Sequence, residues 1–416
     1  MFNSFVNSFG TLTAATTETV ASFKFNYFTT LAFASLVIFL GLFFVKHSSF
    51  LRKAALPAPV VSGLLVSIVI SCIRVFGGFS IEFDHAIMKD FAQNMFFAGV
   101  GFMFSVGMLK KAGKGLVIKI ALAAVLLITL QDAIGIGLGT LVGLHPLLAL
   151  QCSSASMSGG VATAAAMGPF YESLGVADAT VVGIAAGTMG NIMASLIGGP
   201  VAVALIKRHN LKSDPDDKPT VSKDSAIPLD VQNFITAFCI MMLLALIAHP
   251  ITWLFGLFGI KMPVCISCIF GGAIVRSICD IKGKKLPLAE IDTQEHMWLQ
   301  LYLALIMMST DFAKLAPLAG KVAIILLCQA ILICLFGYFI SFNLFGRDYG
   351  AAVMTAGNIG WGAGSATNAV ANEKAVMDEY GWHSIAWDLY PSWSVICDDI
   401  YNPIILSVLG NVFSAL

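Results

Sequence analysis

Apolar runs of roughly helix-spanning length recur along the 416-residue chain, near 28–45, 57–76, 92–109, 116–142, 178–206, 229–258, 262–278, 297–313, 320–344 and 389–415. An α-helix needs about 20 mostly apolar residues to cross a bilayer core. The pattern therefore predicts an all-α polytopic membrane protein with about ten transmembrane helices. Two further stretches, 146–170 and 348–372, have the length of a span but a different make-up. They are dense in Gly, Ala, Ser, Thr and Asn and poor in Leu and Ile.

Composition agrees with a lipid environment. Hydrophobic residues make up 58% of the chain and charged residues 12%, about half the charged fraction of a soluble domain, and the mean hydropathy is +0.86. Lysine plus arginine and aspartate plus glutamate each number 24. This neutral balance, with no basic stripe, excludes nucleic acid as an expected partner. The nine cysteines sit in apolar runs. Cys265 and Cys268 have a CxxC spacing but no second Cys or His pair at a zinc-like distance, so they read as packing residues. The first twenty residues lack a basic stretch and a small-residue cleavage site, and do not read as a cleaved signal peptide.

Cytoplasmic loops carry an excess of Lys and Arg. With the N-terminus outside, eighteen of the 24 basic residues fall on inner loops, among them Lys46, Arg52, Lys110, Lys111, Arg276 and Lys284. Only Lys24, Arg74, Lys89, Lys261, Lys314 and Lys321 stay on the outer face. Both termini are accordingly expected outside. The count holds only when the two glycine-rich stretches enter and leave on one side, as re-entrant loops.

The hydrophilic segment 207–228 divides the chain into similar parts. These are an N-terminal repeat over 1–210 with re-entrant loop 146–170, a cytoplasmic linker over 211–228, and a C-terminal repeat over 229–416 with re-entrant loop 348–372. Each repeat reads as four spans, a small-residue stretch and a fifth span. The second helix of each opens around proline, at LPAPVV and KMPVCI. Five spans per repeat force the second to lie inverted relative to the first. Inverted repeats with a binding site at the midplane are a recurrent design of secondary transporters.

Candidate chemistry concentrates in the two loops. Gly159 and Gly160, and the series Gly357, Gly360, Gly362 and Gly364, are expected to break helix, which is tolerated at membrane depth only where backbone lines a cavity. Ser154, Ser156, Ser158 and Thr163 add hydroxyls to the first loop; Asn358, Ser365, Thr367 and Asn368 add amides and hydroxyls to the second. Half-helix N-termini at such breaks suit a carboxylate, and freed carbonyls suit sodium. A charge in the bilayer costs about 3 kcal/mol or more, so Asp132 and Asp399 are expected to face protein. With Gln131, Asn191 and Asn402 they form the candidate cation set. Glu290, Glu373, Asp214, Asp216 and Asp217 read as solvated loop charges, and Asp311 as interfacial. His145, His249 and His296 read as interfacial, and Trp361 as a candidate wall of the cavity. Asp398-Asp399 could serve as one Asp-rich magnesium motif, but the second such motif needed to bridge a diphosphate, a Ser/His/Asp arrangement and an HExxH pattern are all missing from the sequence, which argues against an enzyme.

At these loops the chain resembles the bacterial glutamate:sodium symporter family. The carrying segments are FLRKAALPAPVVSGLL at 50–65, LQDAIGIGLGTLVGLHPLLAL at 130–150, SGG at 158–160, IGGPVAVALIKRH at 197–209, DYGAAVMTAGNIGWGAGSATNAVAN at 348–372 and DIYNP at 399–403. The resemblance implies two inverted five-helix domains with a re-entrant loop in each, a homodimer embedded in membrane lipid, and sodium-coupled import of glutamate. Sodium would be the coupling ion, with no cofactor. Ser156, Ser158, Gly159, Gly160, Thr163, Asn358, Gly360, Gly362, Gly364, Ser365, Thr367 and Asn368 would meet the substrate. The family's first loop typically continues Gly-Gly-His-Gly-Thr-Gly, whereas here it runs Gly159, Gly160, Val161, Ala162, Thr163, Ala164. Asp132 also stands where the family usually has asparagine. The extra carboxylate admits a proton role, and another small carboxylate or amino acid is the alternative substrate.

Overall fold

The computed structural model describes residues 10–13, 21–53, 56–104, 114–215, 217 and 229–414, with backbone alone over 388–400. Seventeen α-helices are present among the described residues. In the N-terminal half they are α1 (Tyr27–His47), α2 (Ser49–Lys53), α3 (Ala58–Gly77), α4 (Ala86–Met103), α5 (Lys114–Leu141), α6 (Pro146–Gln151), α7 (Gly160–Ser173) and α8 (Ala179–His209). In the C-terminal half they are α9 (Val231–Leu243), α10 (Ala245–Leu257), α11 (Val264–Ile281), α12 (Leu288–Ser309), α13 (Ala319–Phe336), α14 (Phe342–Phe345), α15 (Tyr349–Ala363), α16 (Ala366–Tyr380) and α17 (Ser384–Phe413).

Among the described residues, seven stretches are helical, long and apolar enough to cross a membrane: Tyr27–His47, Ala58–Gly77, Gly115–Leu141, Ala179–His209, Val231–Leu257, Val264–Ile281 and Ala319–Phe345. The other three expected spans coincide with α4, α12 and α17. All three are helical; polar residues such as Lys89, Asp90 and Gln294 lower the apolarity of α4 and α12, and the described end of α17, Tyr401–Phe413, is apolar. The chain is thus a mostly helical, multi-pass membrane protein.

Local chemistry explains where helices begin. The Asn26 side chain accepts from the Thr29 N–H at 3.0 Å and caps α1. Proline opens α3 and α11, where its missing N–H is one of the donors a helix start leaves free. One feature was not expected from an all-α pattern: strands β1 (Gly10–Thr13), β2 (Ala21–Phe25) and β3 (Phe79–Phe83) form a small sheet in the order β1-β2-β3. Its cause is period-2 phenylalanine, since Phe25 stacks on Phe83 with centroids 5.6 Å apart and Phe33 of α1 covers both rings.

The helices pack as two bundles, each drawing on both halves of the chain. The first joins α1, α3, α4, α9, α10, α11 and α12; the second joins α5 to α8 with α13 to α17. Small residues close the first: a Cβ on Gly41 would overlap the Ala58 carbonyl, and one on Gly101 the Ile269 carbonyl. Such close backbone approach substitutes in lipid for a hydrophobic driving force between helices. The second bundle holds an apolar core that includes Leu127, Ile128, Ile333, Phe342, Val353 and Trp361. Between the bundles lies an apolar seam, with Val60, Ala92 and Tyr302 against Val161, Ala165 and Ile184.

Candidate functional site

Both glycine-rich stretches fold as helix–break–helix units inside the second bundle. In the first, α6 ends at Gln151, turns carry the chain through 152–159, and α7 starts at Gly160. In the second, α15 ends at Ala363, Gly364 and Ser365 form the break, and α16 starts at Ala366. Gly160 has φ +62°, and a Cβ there would lie 2.6 Å from the Gly364 carbonyl oxygen. The two breaks therefore touch.

Both rest on α8. A Cβ on Gly187 would meet Val161, and one on Gly190 would lie 2.6 Å from the Ala363 carbonyl oxygen. Beside them the Asn368 amide donates to Asn191 Oδ1 at 2.8 Å, and the Ser195 hydroxyl donates to Asn368 Oδ1 at 3.0 Å. Asn372 donates to the Ala194 carbonyl at 3.0 Å.

Gln131 of α5 ties the two units together. Its Nε2 donates to the Gly362 carbonyl at 2.7 Å, and its Oε1 accepts the Ser158 hydroxyl at 2.7 Å. Its own carbonyl accepts the Gln329 amide at 2.8 Å. The next residue, Asp132, accepts from the Ser154 N–H at 3.2 Å through Oδ1. Ser154 and Asn402 then pair twice: hydroxyl to Asn402 Oδ1 at 2.7 Å, and Asn402 Nδ2 to the Ser154 carbonyl at 3.0 Å. Asp132 is buried, and its Oδ2 has no partner among the described residues.

The N-termini of α7 and α16 have no side-chain cap. Their first N–H groups and positive dipole ends are available at the breaks. Ser365 is half-buried and Thr367 exposed, so the α16 start is open to approach. Such an arrangement can hold an anionic group at the helix starts and a hard cation among the oxygens of Asp132, Ser154 and Asn402.

Several expectations change on this geometry. Gly357, Gly360 and Gly362 do not break helix; they lie within continuous α15. Gly360 lets the α16 backbone approach and Gly362 admits Leu127, so both serve packing. Asn358 points away from the breaks, to the Ser341 hydroxyl at 2.7 Å. Trp361 is buried in the apolar core of the second bundle, and its indole N–H finds no acceptor among the described residues. Ser156 bonds only weakly within its own turn, at 3.4 Å to the Ser153 carbonyl, and Thr163 packs over Gly159. The side chain of Asp399 lies outside the described residues.

Two acids read as solvated are buried instead. Glu290 sits where α12 starts and accepts from the Asp230 N–H at 3.4 Å. Glu373 is fully buried on α16, because α16 packs between α8, α15 and α17. Asp217 is tied to the start of α17, where the Ser384 hydroxyl and N–H hold its carboxyl below the usual carboxylate range. Asp311 pairs with the half-exposed Arg74. Gln329, Ser195 and Asn372 were missed by sequence reading. Gln329 alone carried a signal, as a lone amide in an apolar span.

These features define a class: a multi-pass membrane protein whose two interrupted helix pairs meet in a buried polar seam. Residues 23–382 match the family model for the sodium/glutamate symporter. The chain is 32% identical over 398 residues to the sodium/glutamate symporter of Escherichia coli (strain K12), covering 93% of this chain and 98% of that protein. It is likewise 32% identical over 406 residues to the sodium/glutamate symporter of Haemophilus influenzae (strain ATCC 51907 / DSM 11121 / KW20 / Rd), covering 95% and 100%. The chain belongs to the sodium/glutamate symporter family. Its relatives are transporters, not enzymes.

Proposed function

We propose that this protein imports glutamate together with sodium across a bacterial inner membrane by alternating access. The observation that carries the reading is the meeting of the two helix breaks at Gly160 and Gly364, each followed by an uncapped helix start and bridged by Gln131. The α7 and α16 N-termini, with Ser158, Gly159, Ser365, Thr367 and Asn368, take the substrate carboxylates. Sodium binds among Asp132, Ser154 and Asn402, with Gln131, Asn191 and Asp399 completing the cation set. No cofactor takes part.

The architecture behind this reading is two inverted five-helix repeats, 1–210 and 229–416, joined by a cytoplasmic linker over 211–228. The stretches 146–170 and 348–372 are their re-entrant loops, and both termini lie outside. The two-bundle packing supports alternating access, since the bundle holding both loops meets the other across an apolar seam. A homodimer in lipid is the expected assembly.

Monoanionic glutamate with one sodium is electroneutral, and each further charge gains roughly 2.3 kcal/mol per 100 mV. Two sodium ions per glutamate make uptake electrogenic. The test is radiolabelled glutamate uptake into proteoliposomes with and without a sodium gradient. Accumulation that needs the gradient and responds to an imposed potential supports the reading; gradient-independent uptake rejects it. Asp132, absent from the family's usual pattern, supports a second reading, a proton-coupled or differently sodium-coupled symporter of another small carboxylate or amino acid. Competition by unlabelled dicarboxylates separates the two.

A further inference from the structure

Glu373 takes no part in the site described above, and its surroundings are unusual. It has no exposed surface, and neither carboxyl oxygen has a partner among the described residues. Ala369, Val376 and Met377, its neighbours at helical spacing on α16, belong to the apolar core of the second bundle. The preceding residue, Asn372, pins α16 to the Ala194 carbonyl of α8 and contacts the Ala356 carbonyl of α15.

Among the described residues, the charged groups on the helices packed against it are exposed or engaged elsewhere. On α16 itself, Lys374, Asp378 and Glu379 are exposed. On α8 they are Lys207, Arg208 and His209 at its exposed end, Arg208 bonding the Tyr338 hydroxyl. On α15 they are Asp348, which caps the helix, and Tyr349, which bonds the Gly381 carbonyl. On α17 His383 caps the helix start, and the side chains of 388–400, Asp388, Asp398 and Asp399 among them, lie outside the described residues. An ionised carboxylate there lacks water and, among the described residues, a counter-charge.

We infer that Glu373 is a proton-carrying site of the second re-entrant loop, neutral while α16 is packed and ionised when the loop opens to water. The step is a simple protonation. The carboxylate takes one proton from hydronium, leaving water, and returns it to water on the other side after the loop has moved. A proton then favours the packed loop just as a ligand favours the state it binds, and uptake draws on the pH gradient as well as on sodium. This inference rests on the transport reading above.

The experiment uses the full chain in proteoliposomes with a fixed sodium gradient, the potential clamped by potassium and valinomycin, and the pH gradient varied. Radiolabelled glutamate uptake and internal pyranine fluorescence are read together. An acid exterior is expected to raise wild-type uptake several-fold, and glutamate is expected to acidify the lumen. With Glu373→Gln, which imitates the neutral acid, uptake should ignore the pH gradient and the lumen should stay at its starting pH. Equal stimulation of both proteins by acid overturns the proton site, as does a wild type indifferent to pH. Absence of sodium-dependent uptake at symmetric pH overturns the transport reading instead, and this inference with it. An infrared difference spectrum of the purified proteins at neutral pH gives a readout free of transport. The carboxylic-acid carbonyl band should be present in wild type and missing from Glu373→Gln, and identical spectra reject the neutral buried acid.

Discussion

The α-carbon of Gly160 faces the carbonyl oxygen of Gly364 so closely that a single added methyl would sit 2.6 Å from it. This contact is where the two helix breaks meet, and it sets the first expected outcome. Gly160→Ala adds that methyl at φ +62°, a backbone region where a side chain costs about 1–3 kcal/mol. The breaks must part, and uptake should fall by about tenfold or more through misplaced binding groups. The protein should still reach the membrane. Uptake by Gly160→Ala equal to wild type removes the contact from the site.

Gln131 satisfies a hydroxyl of the first loop and a carbonyl of the second at once. Gln131→Ala leaves both buried groups unpaired, at about 1–3 kcal/mol each. The expected result is a lower thermal midpoint in detergent and a strongly reduced maximal uptake rate. Retention of both properties means that water replaces the side chain without loss.

Asp132→Asn keeps the shape of the side chain and removes its charge. With one carboxyl oxygen otherwise unpartnered among the described residues, the loss should raise the sodium concentration for half-maximal uptake several-fold while leaving glutamate uptake at saturating sodium largely intact. A sodium activation curve measures this, and an unshifted curve takes Asp132 out of the cation set.

The contact between Asp217 and Ser384 predicts an acid-sensitive tie between the linker region and α17. The Asp217 carboxyl is held below its usual range by the Ser384 hydroxyl and N–H, so the folded state favours the ionised form. The stabilisation is full above the ordinary carboxylate value of about 3.9 and is lost as pH falls through the lower, folded value. Asp217→Asn should abolish the acid-induced part of protease sensitivity near residue 217. Identical pH profiles for the two proteins argue against the tie.

Arg74 and Asp311 form an ion pair that is about half exposed on the arginine side. Pairs of this kind contribute about 0–1 kcal/mol and weaken with salt. Asp311→Asn is therefore expected to change the thermal midpoint by no more than a few degrees, less in high salt. A large loss would point to a structural role that exposure does not explain.

Much of the site could be read from residue order alone. Small-residue stretches in an otherwise Leu- and Ile-rich chain announced both helix interruptions, because packed helices in lipid do not need clustered Asn and Ser. Asp132 stood out as a carboxylate in an apolar run, and Gln131 beside it as a neutral oxygen source. Residue order failed where a helix continues through glycine. Gly357, Gly360 and Gly362 look like breakers in sequence, yet α15 runs through all three, and α16 and α5 close on the space that Gly360 and Gly362 leave.

Sequence by itself determined the solvent, since a chain with so few charges cannot cover a water-facing surface, and it marked the two segments that interrupt helix. Tertiary structure decided which helices share a bundle, that the two interruptions touch, and that Gln131 rather than a loop residue links them. It also decided the fate of Glu373, which sequence places among exposed neighbours. The physical reason is that periodicity reports one helix's own faces, whereas burial of a polar group depends on which other helices arrive, and those arrive from distant parts of the chain.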